Sequence, residues 1–237
     1  MNFEELTLKI NELIKDKTKA SEICSDFRTY FDFLVEENSK YNLTAITVES
    51  EVIAKHFYDS ILPLFEFSFA GKKVIDVGTG AGFPGIPLLL CCPSISLTLV
   101  EPTTKKCIFL EKLCSMLKLN NVTILNARSE DLPHTYIEKF DIGVSRAVSH
   151  LNIISELVLP FVKVNGYFIA YKGASFEEEI KEAGNCLKKL ESRIEDIKKY
   201  MLDTDTVPRA LIYVKKLKKI EHKYPRTYAV IKANPLK

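Results

Sequence analysis

Four of the chain's nine glycines fall within eight residues, in Val77-Gly78-Thr79-Gly80-Ala81-Gly82-Phe83-Pro84-Gly85, between the apolar residues Val74 and Ile75 on one side and Leu88, Leu89 and Leu90 on the other. Such a segment reads as strand, turn and helix, and glycine at this density lets backbone N–H groups come close to a nucleotide-like ligand. The same alternation continues downstream. Strands are predicted over 73–77, 97–100, 122–125, 140–145 and 167–171, with helices over 84–92, 103–119 and 149–161 between them. A long charged helix over 176–200 and two β-like runs, 210–215 and 228–231, complete the chain. This order predicts a doubly wound, Rossmann-like α/β sheet of seven strands. The link between the last two runs is tight for a crossover helix, so that pair is expected to be antiparallel, which favours a methyltransferase over a dehydrogenase.

Residues 1–66 follow a different rule. Leu6, Ile10, Leu13 and Ile14 share one helical face, Phe27, Tyr30, Phe31 and Leu34 another, and no strand is evident before Val74. An N-terminal helical cap over 1–66 is therefore expected ahead of a cofactor-binding domain over 67–237. A short extended piece, 41–46, interrupts the cap helices. With 237 residues, 46% apolar and 27% charged, the chain can bury a sizeable core and is not of disordered composition. Its first residues lack the basic-then-apolar order of a signal peptide and its apolar runs are shorter than a membrane span, so a cytoplasmic protein without a membrane partner is expected; a monomer is the expected state. Cysteines at 24, 91, 92, 107, 114 and 186 form no C-x-x-C pair, which argues for buried thiols and against a metal site or a disulfide framework. The net charge of +2 hides an asymmetry: residues 1–66 carry seven basic and thirteen acidic side chains, residues 206–237 nine basic and one acidic. That tail is either an attractor of phosphates or a solvated lysine-rich face, and composition does not decide between them.

Two cofactor classes compete for the glycine loop. Gly80-Ala81-Gly82-Phe83-Pro84-Gly85 spells the dinucleotide signature G-x-G-x-x-G, whereas Asp76-x-Gly78-x-Gly80-x-Gly82 has the spacing of a nucleoside loop for S-adenosylmethionine. Register separates them. A dinucleotide site starts at the glycine that follows the strand, here Gly78, and would need glycine at position 83, which is Phe83. Asp76 points the same way, since a carboxylate at the strand end suits an ammonium group and repels a pyrophosphate. Glu101 ends the next strand, where α/β nucleoside sites place a carboxylate for the ribose hydroxyls. Ser129 and Glu130 follow the third strand end and can bracket an adenine; Arg146 follows the fourth.

These residues, together with Asn42-Leu43-Thr44-Ala45-Ile46, His56-Phe57-x-Asp59-Ser60, Pro84-Gly85-Ile86-Pro87, Ser145-Arg146-Ala147 and Tyr224-Pro225-Arg226, resemble the bacterial 16S rRNA guanine-N7 methyltransferase family RsmG, also called glucose-inhibited division protein B. The likeness runs nearly end to end. It implies a class I methyltransferase fold, S-adenosyl-L-methionine as cofactor, and 16S rRNA or the small ribosomal subunit as partner, with one guanine near the decoding site as target. It further implies that Gly78 and Phe83 contact the cofactor, that Ser129 and Glu130 lie against its adenosine, and that Arg146 borders cofactor and substrate. Two departures stand out: Glu37-Asn38 replaces a frequent Trp-Asn, and Ser129 a common alanine.

Guanine N7 has an in-plane lone pair and no proton, so methyl transfer needs alignment more than a general base, and the sequence offers no dedicated base. Arg146, able to read N7 together with O6, is the candidate catalytic residue. Asp76, Gly78, Gly80, Phe83, Glu101, Ser129, Glu130 and Arg146 are the candidate cofactor contacts. His56, Ser60 and Asp59 form a polar cluster that points from the cap to the cleft or serves only to pack the interface. Asn42, His56, Asp59, Lys172, Arg209 and Arg226 are candidate RNA contacts, with Lys215, Lys216, Lys218, Lys219 and Lys223 available for phosphates and Tyr224 and Tyr228 for stacking. The competing functional readings are an NAD(P)-dependent oxidoreductase of Rossmann type and a non-catalytic rRNA-binding assembly protein.

Overall fold

The protein is described here from a computed structural model covering residues 1–203 and 205–236; Thr204 and Lys237, the last cation of the tail, lie outside the described residues. The cap begins with α1 (Phe3–Ile14), started by a reciprocal Asn2–Glu5 capping box, and α2 (Lys17–Tyr41), started by Asp16 accepting from the Lys19 N–H. A third stretch opens as α3 (Glu49–Val52), widens into a π-helix over Ile53–Tyr58 and closes as α4 (Asp59–Ile61). Short π segments of this kind are frequent at functional sites.

The sheet follows as β1 (Lys73–Val77), β2 (Ser96–Val100), β3 (Val122–Leu125), β4 (Phe140–Arg146), β5 (Val162–Lys172), β6 (Ser192–Tyr200) and β7 (Arg209–Lys216). Its order is β3-β2-β1-β4-β5-β7-β6. Five strands are parallel, and β7 runs antiparallel to both β5 and β6. The chain order reverses between β1 and β4, so their carboxyl ends flank the crevice where open α/β sheets bind ligands. Around it lie α5 (Gly85–Cys91), α6 (Thr104–Met116), α7 (Leu151–Val158), α8 (Phe176–Lys189) and α9 (Tyr228–Ala233).

The last third departs from the sequence expectation in two places. The helix predicted over 176–200 ends at Lys189; Glu191 takes a left-handed φ of 47°, and residues 192–200 form β6. A β-bulge between Ile194 and Asp196 puts Ile194 and Ile197 on one face of β6 and Tyr200 on the other, so the three-residue spacing imitates a helix. Conversely, the run Tyr228-Ala229-Val230-Ile231 is helical, because short apolar runs carry no distinguishing period. The consecutive antiparallel pair at the end of the sheet is therefore β6 and β7, in place of the two runs expected from the sequence.

Alternating residues of β1 feed two cores. Val74 packs with the cap, α5 and α6, while Ile75 and Val77 pack with α7 and α8. The first cluster runs without interruption from Leu6 and Phe27 in the cap to Leu97 in the sheet. Phe27, Tyr30 and Phe57 are wholly buried there, and burying each such ring contributes about 1.5–3 kcal/mol.

Candidate active site

The glycine loop is built around Asp76. Its side chain is fully buried; Oδ2 accepts from Thr79 Oγ1 at 2.7 Å and from the Gly85 N–H at 2.9 Å, which ties the strand end to the start of α5. A Cβ on residue 85 would come within 2.9 Å of that same oxygen. Oδ1 has no partner among the described residues, and burial lifts the carboxyl from 3.8 to about 6. An unpaired oxygen on a buried carboxyl is costly, and an ammonium group reaching it would both satisfy and ionise it. Gly80 sits at φ 61° with open space where a Cβ would be, a cradle shape that only glycine holds without strain.

Glu101, directly after β2, closes the other side of the loop. Oε2 accepts from the Gly80 N–H at 3.0 Å and Oε1 from the Thr103 N–H at 2.9 Å. Each carboxylate oxygen has a second lone-pair site, so both remain able to accept a ribose hydroxyl. Asn126 donates to the Glu101 carbonyl and accepts from Thr104, joining the ends of β2 and β3. Ser129 is buried at the start of a single turn over Ser129–Asp131, with Glu130 half-buried beside it. Asp76, Gly80, Glu101 and Ser129 thus line one carboxyl edge.

The cap covers the remaining side. Tyr30 donates its hydroxyl to the Ala81 carbonyl, and a Cβ at Gly82, which sits at φ 102°, would lie 2.7 Å from both that hydroxyl and Ile86 Cδ1, so the backbone conformation, the cap and α5 together call for glycine here. Phe83 is buried in a stack between Tyr30 (ring centroids 5.2 Å apart) and His56 (4.6 Å), with the Arg146 guanidinium over its face at 5.1 Å. Its ring therefore belongs to the cap interface, which leaves its backbone as the part that faces the loop. Gly78 is crowded instead by Val148, whose Cγ2 would stand 2.6 Å from an added Cβ.

Arg146, the last residue of β4, is turned into the cap. Nη1 donates to the Lys55 carbonyl and to Asp59 Oδ2, both at 2.9 Å, and to Ser60 Oγ at 3.2 Å, while Nη2 lies 3.2 Å from His56 Nδ1. Because arginine only donates, His56 Nδ1 accepts, and the imidazole proton sits on Nε2, facing Thr44 Oγ1 at 2.9 Å. Burial, and then the charge of Arg146, push His56 down to about 3, so it is neutral. Asn38 fixes the Thr44 segment, its Oδ1 accepting from the Leu43 and Thr44 N–H groups. Asn42 is the left-handed cap of α2 at φ 51°. Glu37, at the position of the frequent tryptophan, is buried and joins Lys40 to Lys112 of α6.

Most of the other cations singled out from the sequence are engaged within the protein. Lys172 pairs with Glu179 at 2.7 Å and donates to the Ser149 carbonyl. Arg209 holds Asp205 through Nε and Nη2 at 2.6 and 3.0 Å. Arg226 grips Glu156 through Nε and Nη2, both at 2.7 Å. Lys216 is wholly buried against Glu138 and two carbonyls. Lys218, Lys219 and Lys232 are exposed. Tyr30, Thr79, Asn126 and Tyr200 escaped the sequence reading as site residues. Thr79 had a signal, three residues after a strand-end aspartate, but nothing in a sequence marks Tyr30 or Tyr200 as a partner of residues 51 and 141 positions away.

Among solved structures the chain is similar to TYW2 of M. jannaschii in complex with AdoMet (TM-score 0.56, 16% identity, covering 73% of this chain and 80% of that one) and to a SAM-dependent methyltransferase from Aquifex aeolicus (TM-score 0.53, 19% identity, covering 69% and 92%). These likenesses establish the class I methyltransferase fold. In sequence it is 44% identical over 213 residues to the ribosomal RNA small subunit methyltransferase G of Thermoanaerobacter sp. (strain X514), covering 89% of each chain. The protein of that name from Mycoplasma capricolum is 45% identical over 231 residues (98% and 94% covered), and that from Lactobacillus helveticus 41% over 244 residues, covering both chains entirely. A family profile described as GidB, rRNA small subunit methyltransferase G, matches residues 23–205, so the chain belongs to the GidB family.

Proposed function

We propose that this protein transfers a methyl group from S-adenosyl-L-methionine to N7 of a guanine in 16S rRNA. The observation that carries the reading is the Asp76–Gly80–Glu101 arrangement at the β1/β4 switch point, which offers an unpaired buried carboxyl oxygen, an open glycine cradle and a second carboxylate in one crevice. Asp76 would hold the cofactor's ammonium group, Glu101 its ribose, and Ser129 and Glu130 its adenine side. The cofactor supplies an electrophilic methyl group on a sulfonium. Neither the topology nor the relatives lend support to the dehydrogenase or the non-catalytic alternative.

The protein's own task is then alignment and exclusion of water. Guanine N7 must keep its lone pair free for the methyl group, so Arg146 cannot donate to N7 during transfer; of the two major-groove acceptors, O6 is the one left to it. After Arg146 has satisfied the cap, its Nε–H and one Nη2–H have no acceptor among the described residues, so donors remain for that contact. The test is methylation of unmodified small subunits or 16S rRNA with labelled cofactor, followed by mass mapping of the nucleosides. Label on N7 of a single guanine is expected. Label on another atom, or none, would refute the assignment.

A further inference from the structure

We infer that Asp59, oriented by Tyr200 and Arg209, is a positioning residue that sets the direction of the Arg146 guanidinium for methyl transfer; this rests on the functional reading above. Asp59 is 1% exposed, and its two oxygens face opposite elements. Oδ2 takes Arg146 Nη1 from β4 at 2.9 Å, while Oδ1 takes the Tyr200 hydroxyl from β6 at 2.7 Å, with Arg209 Nη1 from β7 at 3.8 Å. Arg209 is itself fixed by the side-on fork to Asp205. Burial raises the Tyr200 phenol far above its ordinary value, so it stays a donor.

A polar chain therefore runs from Asp205 through Arg209, Asp59 and Arg146 to His56 and Thr44. It joins the two strands remote from the crevice to the cap segment that covers it. A guanidinium gripped on Nη1 by Asp59, Ser60 and the Lys55 carbonyl has one orientation, and its remaining N–H groups then point in a fixed direction. Removing the Tyr200 hydroxyl leaves Asp59 Oδ1 short of a donor in a buried place, and the carboxylate is then free to rotate toward Arg209 and away from Arg146. The consequence expected at the crevice is misalignment, with the cofactor pocket around Asp76 and Glu101 untouched.

Tyr200→Phe tests this with two readouts. His56 Nδ1 accepts from Arg146, and the other three histidines, His134, His150 and His222, are exposed, so the 15N imidazole spectrum reports the Arg146 position directly. The expected result is a displaced Nδ1 resonance together with a fall of about tenfold in kcat for methyl transfer, while the dissociation constant of S-adenosylhomocysteine changes by less than about twofold. Asp59→Asn, which keeps the shape and removes the charge, should displace the same resonance and lower kcat in the same direction. An unmoved Nδ1 resonance in both folded variants overturns the inference, as does a moved resonance with wild-type kcat, or a loss of activity that follows melting temperature alone. If the wild-type protein transfers no methyl group to the RNA, the functional reading fails, whereas a displaced resonance still supports the Asp59–Arg146 linkage.

Discussion

Asp76 and Glu156 are both carboxylates closed off from solvent, and they are treated in opposite ways. Glu156, on α7, receives the Arg226 fork and the Arg226 backbone N–H, so both oxygens are satisfied by a residue of the tail. Asp76, at the end of β1, keeps Oδ1 without a partner among the described residues. The first arrangement is complete without any ligand, and the second is not. The difference teaches where binding resides: the crevice holds an unsatisfied group, whereas much of the positive charge of the tail is already engaged with Glu156 of α7, Glu138, Asp205 and Glu195 of β6. A cation count along the sequence therefore overstates the cationic surface available to RNA.

The largest expected effect falls on the satisfied pair. Arg226→Ala leaves Glu156 buried and unpaired, and the loss of one member of such a pair costs about 3–5 kcal/mol of stability, readable by urea unfolding. At a temperature where the variant stays folded, its cofactor affinity should match wild type; a selective loss of cofactor binding with unchanged stability would break the comparison.

The unsatisfied carboxyl behaves in the reverse sense. Its folded-state pKa of about 6 lies above the ordinary 3.8, so the native protein holds the extra proton between these values. Stability from this group is full below about pH 4, declines as pH rises through the window, and is absent above about 6, by roughly 2–3 kcal/mol in total. Asp76→Asn should remove that decline, seen in the difference between the two melting-temperature curves from pH 4 to 7, and should weaken S-adenosylhomocysteine binding. A difference curve that is flat across the window would show that Asp76 ionises freely.

Much of this was legible. The five parallel strands, the glycine loop and the two strand-end carboxylates follow from local patterns, because a parallel strand buried on both faces and a turn of spaced glycines leave marks within a few residues. Lys172 and Arg226 were legible only as cations, since the acids that neutralise them, Glu179 and Glu156, lie on helices whose docking is set by apolar packing. The β6 assignment failed because one bulge shifts the strand period to resemble a helix. Arg146 is legible as a candidate site residue, but its turn into the cap depends on Lys55, Asp59 and Ser60, more than 80 residues earlier. Non-local polar contacts of this kind have no sequence period to announce them.

Tyr30→Phe probes the cap side of the crevice at smaller cost. It removes one donor to the Ala81 carbonyl while keeping the ring stack on Phe83, so the loss should be about 1 kcal/mol, appearing as weaker cofactor binding in calorimetry. An equal loss of stability without any change in affinity would assign Tyr30 to the core alone.

The smallest effect on folding, and the sharpest use of the comparison, is expected from the exposed lysines. Lys218 and Lys219 follow β7 in the open, and neither takes part in an ion pair among the described residues. Replacing both with glutamine should leave the unfolding midpoint within error, since surface substitutions without partners change little. If they meet phosphates, each lysine removed lowers the slope of log K against log salt by about 0.7–0.9, because fewer counterions are released on binding. Arg226→Lys is the matched control: it keeps the charge count of the tail but loses the fork to Glu156. It should reduce stability and leave the salt slope where it was. A slope that falls in the Arg226 variant but holds in the lysine pair would reverse the assignment, placing the RNA-binding surface on the tail's inner face and the solvated charge on its outer one.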